Sequence, residues 1–166
     1  MLYFAYGSNL HPGQMRKRCP AARFLAIARL SHHRLAFTRG SARTGYGVCS
    51  AVPARGQDVW GVVFDVTGGD LACLDRHEGF RPDRPMSANA YVRRRGCVWR
   101  EGDEHQPVEV WLYFANGQPS PPLPDAEYKR LIVEGARHWR LPAAYQVELA
   151  QIVVASRPRV PRPARR

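Results

Sequence analysis

Two short stretches of the sequence carry groups from which a reaction centre could be built. The first, Tyr6-Gly7-Ser8-Asn9, directly follows the apolar opening segment of the chain. Gly7 has no Cβ, so a ligand or another backbone segment can approach it closely. Ser8 and Asn9 can bond to a ligand, and successive N–H groups in a turn can hold an anion. A turn with a purely structural role accounts for the same residues, so this stretch alone leaves both interpretations open.

The second stretch is LDRHEGF, which ends in Glu78-Gly79-Phe80. If it closes a helix, Leu71, Leu74 and Glu78 share one face, which is expected to point at the core. Burial and the negative end of the helix would both raise the pKa of Glu78 toward the range in which a carboxyl group takes and returns a proton. The alternative is a glutamate that reaches solvent or pairs with an arginine. His77 falls off this face and is predicted to be exposed or to lie behind the site.

Two tyrosines are further candidates, each with an ordinary alternative. Tyr128 precedes Leu131 and Ile132 at helical spacing, so it is predicted to face inward and to offer one hydroxyl group. Tyr91 stands just before a run of three arginines. For Tyr128 taken by itself, simple core packing is the favoured explanation, and Tyr91 has the same ambiguity.

Neither a metal nor a cofactor is indicated by the remaining motifs. The four cysteines lack the C-x-x-C spacing of zinc sites, and we expect them to be reduced packing residues. No glycine-rich nucleotide-binding pattern occurs. Ser8 as a nucleophile would need a His–acid relay, which the sequence does not show.

The elements that position these groups follow from the apolar patterning. Short β-branched and aromatic runs predict strands, and acidic starts with glycine or proline boundaries predict helices. The predicted strands are the opening LYFAY, 24–30, 34–38, 59–66, 91–99 and 108–115, and the last two are expected to pair. The predicted helices are 70–77, stopped by Gly79, then 125–140, and one opening at Pro142. This order predicts an α+β single domain with a mixed, curved sheet or small β-barrel flanked by helices.

The length and charge of the chain limit the number of domains and the kinds of partner that we expect. A chain of 166 residues with 45% hydrophobic residues fits one domain, expected over 1–155, with a flexible, basic Arg/Pro-rich tail over 156–166. Without a long apolar run or a leader-like start, we expect a cytoplasmic protein with no membrane contact. The net charge of +11 raises a nucleic-acid-binding module as an alternative. Because the densest basic cluster lies in the tail without aromatic residues, non-specific contact by the tail is the stronger expectation.

The chain carries these motifs in this order: YFAYGSNL, VWGVVFDV followed by LDRHEGF, Tyr91, and the late DAEYKRLIVEGARHWRLPAAYQ. On these motifs the chain resembles the γ-glutamylcyclotransferase family over about residues 2–149. The resemblance implies a β-barrel-like domain that needs no cofactor and converts a γ-glutamyl substrate to 5-oxoproline and a free amine or amino acid. The substrate's own α-amine attacks, with Glu78 as general acid and base. The implied substrate-binding residues are Tyr3, Tyr6, Gly7, Ser8, Asn9, Leu10, Tyr91 and Tyr128.

Several points stay open within that resemblance. Dipeptides, glutathione, γ-glutamyl amines and isopeptides fit equally, and a relative that deprotects a γ-glutamylated metabolite is an alternative. The presence of Glu78 speaks against a relative that binds such a metabolite without turnover. A monomer or a homodimer is expected. The segment 80–85 is longer and more basic than the family pattern, which puts the leaving-group side in question.

Overall fold

Five strands close into a barrel in the computed structural model, which describes residues 1–103 and 105–156. The order around the barrel is β1-β3-β2-β4-β5, and β1 returns to β5. The β1–β5 contact is parallel, and the other pairings are antiparallel. The strands are β1 Leu2–Ala5, β2 Arg23–Gly40, β3 Gly47–Asp65, β4 Tyr91–Arg100 and β5 Pro107–Ala115. The prediction of an α+β domain with a closed, mixed sheet is therefore confirmed.

The long β2–β3 hairpin differs from the sequence prediction. Segments 24–30 and 34–38 belong to one strand, because pairing continues across a register irregularity between Ser31 and His33. His32 there takes a positive φ of 59°, and its ring accepts a hydrogen bond from the Gly56 N–H. Polar residues at this bulge interrupt the apolar pattern without interrupting the ladder. The first half of β3 contains glycine, serine and proline, which explains why only its apolar second half was predicted.

The helices are α1 Pro12–Arg18, α2 Gly68–Glu78, α3 Ala126–His138 and α4 Ala143–Ala150. Helix α2 starts earlier than predicted, because Thr67 and Asp70 form a reciprocal capping box. It ends as predicted, at Gly79, which takes a left-handed φ of 65°. Asp125 caps α3, which ends before the predicted residue 140. Helix α1 was not predicted, since its only buried residue is Met15 and it has no apolar face.

Close packing fixes α2 and α3 against the barrel beside the end of β1. Leu71 and Leu74 of α2 are buried in the core, which leaves the last turn of α2 next to the chain that follows β1. Helix α3 approaches through Gly135, where a Cβ would lie 2.5 Å from the carbonyl carbon of Leu10. Glycine is therefore required at this contact.

The described chain ends on the domain, because the Ala155 N–H donates to the Pro124 carbonyl at 2.9 Å. The predicted flexible tail lies outside the described residues from 157 onward. Within the described residues, no helix is long and apolar enough to cross a membrane.

Candidate active site

The turn after β1 presents its backbone toward a pocket. Residues Ser8–Leu10 form one 3₁₀ turn, closed by a 2.9 Å hydrogen bond from the Leu10 N–H to the Gly7 carbonyl. A Cβ at position 7 would lie 2.8 Å from the Sγ of Cys49, so this position requires glycine because of close approach. Within the described residues, the N–H groups of Gly7 and Ser8 donate to no protein group.

Glu78 is the last residue of α2, and its side chain is only 15% exposed. Its Oε1 lies 3.3 Å from the Nδ2 of Asn9 and 3.5 Å from a guanidinium nitrogen of Arg18. Asn9 holds this group together, because its Oδ1 accepts from Arg18 at 2.7 Å and its Nδ2 lies 2.8 Å from the Tyr3 hydroxyl. Burial raises the pKa of Glu78, and the nearby Arg18 and Asn9 offset only part of that rise.

Two tyrosine hydroxyl groups meet at Cys49, which also lines the pocket. The Tyr128 hydroxyl lies 3.3 Å from the Cys49 Sγ and accepts a hydrogen bond from the backbone N–H of Cys49 at 3.3 Å. The Tyr91 hydroxyl donates to the Cys49 carbonyl at 2.7 Å. Burial raises the pKa of the Cys49 thiol to about 12, so the sulfur stays protonated at neutral pH. Cys49 thereby joins β3, β4 and α3 at one point.

Together these groups line a small pocket with about 320 Å³ of empty space, counting its open mouth. Every sequence-predicted site residue except Leu10 lies on its wall. The lining residues are Tyr3, Tyr6, Gly7, Ser8, Asn9, Cys49, Glu78, Tyr91, Tyr113 and Tyr128. The hydroxyl of Tyr6 points into the barrel wall, where it donates to the Tyr113 carbonyl and accepts from the Ala51 N–H at 3.3 Å.

Leu10 differs from its prediction as a binding residue. It is fully buried, and its carbonyl accepts from the Trp139 indole N–H at 2.8 Å. Because its N–H is also used within the turn, Leu10 supports the site from behind rather than lining it.

Sequence reasoning missed three residues of the site: Arg18, Cys49 and Tyr113. Arg18 lies in a helix without a periodic signal, and Cys49 lies in the half of β3 that does not look like a strand. Tyr113 is buried directly after the buried Leu112 and lies on the same side of β5 as the exposed Glu109, so strand alternation gives no signal for it. Its hydroxyl donates to the Asp75 carboxylate at 2.7 Å.

Other candidates from the sequence lie away from the pocket. His77 is exposed, as expected, and partial burial together with three nearby arginines lowers its pKa. The segment 80–85 lines neither this pocket nor the wider groove that continues from it toward solvent. The Asn89 side chain bonds to the backbone of Arg81 and Pro85. Within the described residues, no group of three or more His, Cys, Asp or Glu is arranged to hold a metal ion.

Known proteins resemble this chain over most of its length. The family model described as "Gamma-glutamyl cyclotransferase, AIG2-like" matches residues 3–140. The chain is 32% identical to the gamma-glutamylcyclotransferase of Homo sapiens over 155 residues, which cover 91% of this chain and 78% of that protein. It is 33% identical to the protein of the same name from Bos taurus over 156 residues, with the same coverage of 91% and 78%.

Solved structures give the same result. A structure named gamma-glutamyl cyclotransferase superposes with a TM-score of 0.84 at 28% identity, covering 96% of this chain and 92% of that one. A protein from Homo sapiens described as uncharacterized superposes with a TM-score of 0.81 at 30% identity, covering 94% of this chain and 89% of that one.

Proposed function

Since the chain belongs to the gamma-glutamyl cyclotransferase, AIG2-like family, we propose that it cyclises a γ-glutamyl substrate to 5-oxoproline and releases the amine or amino acid. The observation that carries this proposal is the inward carboxyl group of Glu78, which shares one pocket with the Gly7–Asn9 turn.

The substrate brings its own nucleophile. Its α-amine attacks the γ-carbonyl carbon to form a five-membered ring, and the bond from that carbon to the leaving nitrogen breaks. The amine is protonated in water and must lose a proton before it attacks. Glu78, with its raised pKa, accepts that proton and later delivers it to the leaving nitrogen. After ring closure the ring nitrogen loses a second proton to water, and the released amine takes up a second proton from water. The protons therefore balance, and the oxidation state of carbon does not change.

The pocket wall would hold the flexible glutamyl chain folded for attack. Tyr3 and Tyr113 pack edge to face at 5.9 Å, and Phe37 supports Tyr128 in the same way at 6.1 Å. Intramolecular orientation of this kind contributes about 7–11 kcal/mol in well-ordered systems.

The developing oxyanion needs donors, and the turn after β1 supplies them. We assign the N–H groups of Gly7, Ser8 and Asn9, which have no acceptor within the described residues, whereas the Leu10 N–H already donates to the Gly7 carbonyl. One such donor is worth about 3 kcal/mol in comparable sites.

The direct test is product analysis with this chain of 166 residues. We expect 5-oxoproline and free amine in equal amounts from at least one member of a panel of γ-glutamyl dipeptides, glutathione, amines and isopeptides, measured by mass spectrometry. Formation of free glutamate instead of 5-oxoproline would show that water attacks, and it would contradict the proposed cyclisation.

A further inference from the structure

A wide groove continues from the small pocket toward solvent. The two share Ser8, Glu78, Tyr91 and Tyr128, and the groove holds about 1750 Å³ of empty space, counting its open mouth. If the γ-glutamyl end occupies the pocket beside Glu78, as the proposed function requires, the leaving group must lie in this groove. The residues of the groove therefore determine which leaving groups are accepted.

Two exposed arginines on this groove have no acidic partner within residues 1–103 and 105–156. Arg43 lies in the turn between β2 and β3, and Arg76 lies in the last turns of α2. Among the residues that the structure describes, no carboxylate oxygen lies within 4.0 Å of either guanidinium. A third arginine of the groove, Arg39, donates to the Asn116 carbonyl at 3.0 Å rather than to an acid.

The acidic residues of the groove are already engaged with other groups. Asp125 caps α3 by accepting from the Tyr128 N–H at 2.7 Å, and Glu127 pairs with Arg130 at 2.7 Å. Glu78 faces Arg18. The groove thus carries more positive than negative charge. Consistent with this, Arg18, Arg76 and Arg43 add to partial burial in lowering the pKa of His77 beside them.

We propose that Arg43 and Arg76 bind a carboxylate on the leaving group, so that the chain prefers γ-glutamyl amino acids and peptides to γ-glutamyl amines. A guanidinium group presents paired N–H donors that match the geometry of a carboxylate. An amine leaving group, neutral or cationic, would leave both arginines without a partner. This inference rests on the proposed function for the place of the leaving group.

A matched pair of substrates tests the proposal. γ-Glutamyl-alanine and γ-glutamyl-ethylamine differ only by the carboxylate of the leaving group. We expect the wild-type chain to turn over the alanine compound with a kcat/KM roughly 10- to 100-fold higher, the range of a charge-assisted hydrogen bond. In the double variant Arg43→Gln/Arg76→Gln, the ratio of the two kcat/KM values should fall about tenfold or more. The fall should come from a lower kcat/KM for γ-glutamyl-alanine alone.

The matched control is Arg34→Gln/Arg94→Gln, which removes the same two charges from exposed strand positions that do not line the groove. It should keep the wild-type ratio, which separates local binding from a general effect of net charge. A wild-type ratio near one, or equal loss on both compounds in the groove variant, would overturn the proposal.

Binding measurements test the role of the two arginines independently of whether the chain catalyses the cyclisation. Dissociation constants for both compounds, measured by calorimetry in a Glu78→Gln background, should show the same preference and the same dependence on Arg43 and Arg76. If neither compound yields 5-oxoproline, the proposed function fails, and the binding preference still supports the role of the arginines. Equal binding of the two compounds, or binding of neither, overturns that role.

Discussion

Helix α2 carries two carboxylates in its last two turns, Asp75 and Glu78, and they are held in different ways. Their side chains are similarly shielded, 16% and 15% exposed. Asp75 accepts from the Tyr113 hydroxyl at 2.7 Å and from Arg93 at 2.7 Å. Glu78 has contacts of only 3.3 and 3.5 Å, with Asn9 and Arg18. Asp75 is therefore firmly paired, whereas Glu78 is held by longer contacts.

The surroundings of the two groups reinforce this difference. The Arg93 guanidinium that pairs with Asp75 also lies over the rings of Phe80 and Trp111, at 5.3 and 4.7 Å from their centroids. Asp75 therefore ties α2 to the outside of the barrel. Glu78 faces the pocket and the groove instead. The two carboxylates therefore have similar exposure but differ in the lengths of their contacts and in the surface that they face.

Removing the charge of Asp75 should give the largest loss of stability. Asp75→Asn leaves Arg93 without its acid, and we expect a loss of about 2 kcal/mol in the free energy of unfolding, measured in urea. Tyr113→Phe removes only one of the two hydrogen bonds and should cost about 1 kcal/mol. Turnover should stay within a few-fold of wild type in Asp75→Asn. If turnover of the folded Asp75→Asn variant fell by much more than a few-fold, Asp75 would not have the purely structural role that distinguishes it here from Glu78.

Removing the charge of Arg18 should change the titration of Glu78. Arg18 lowers the pKa of Glu78, so Arg18→Gln should raise it further. Since the base acts in its ionised form, the acidic limb of the pH profile of kcat/KM should move to higher pH. Arg94→Gln, with the same charge change on β4, should leave that limb in place. An acidic limb that stays fixed in Arg18→Gln would contradict the assignment of Glu78 as the titrating base.

The smallest effect concerns the pH dependence of stability. The folded pKa of Glu78 lies above its unfolded value, so its contribution is fully present below the unfolded pKa of about 4.3 and is lost as pH rises through the folded pKa. Glu78→Gln should therefore be at least as stable as wild type at pH 7. Unfolding measured between pH 4 and 8 should show a smaller decline for the variant. A steeper decline in the variant would place the pKa shift on another group.

The sequence could predict those parts of the site that depend on local rules. Leu71, Leu74 and Glu78 follow helical spacing, and Gly79 marks the end of the helix, so the inward carboxyl was predictable. The tertiary partners were not. Gly7 is needed because Cys49 approaches it from a distant strand, and Arg18 reaches Asn9 from a helix without a periodic signal. Leu10 looked like part of a binding loop, but its backbone groups are used by Gly7 and Trp139.

The central claim is that Glu78 carries the proton during cyclisation, and one rate measurement tests it. Glu78→Gln keeps the size of the side chain and removes the base. Glu109→Gln, at an exposed carboxylate of β5 that pairs with Arg95, is the matched control. We expect 5-oxoproline formation from the preferred γ-glutamyl substrate to fall about 10²-fold or more in Glu78→Gln and to stay unchanged in Glu109→Gln. Near-wild-type turnover by a folded Glu78→Gln variant would contradict the account.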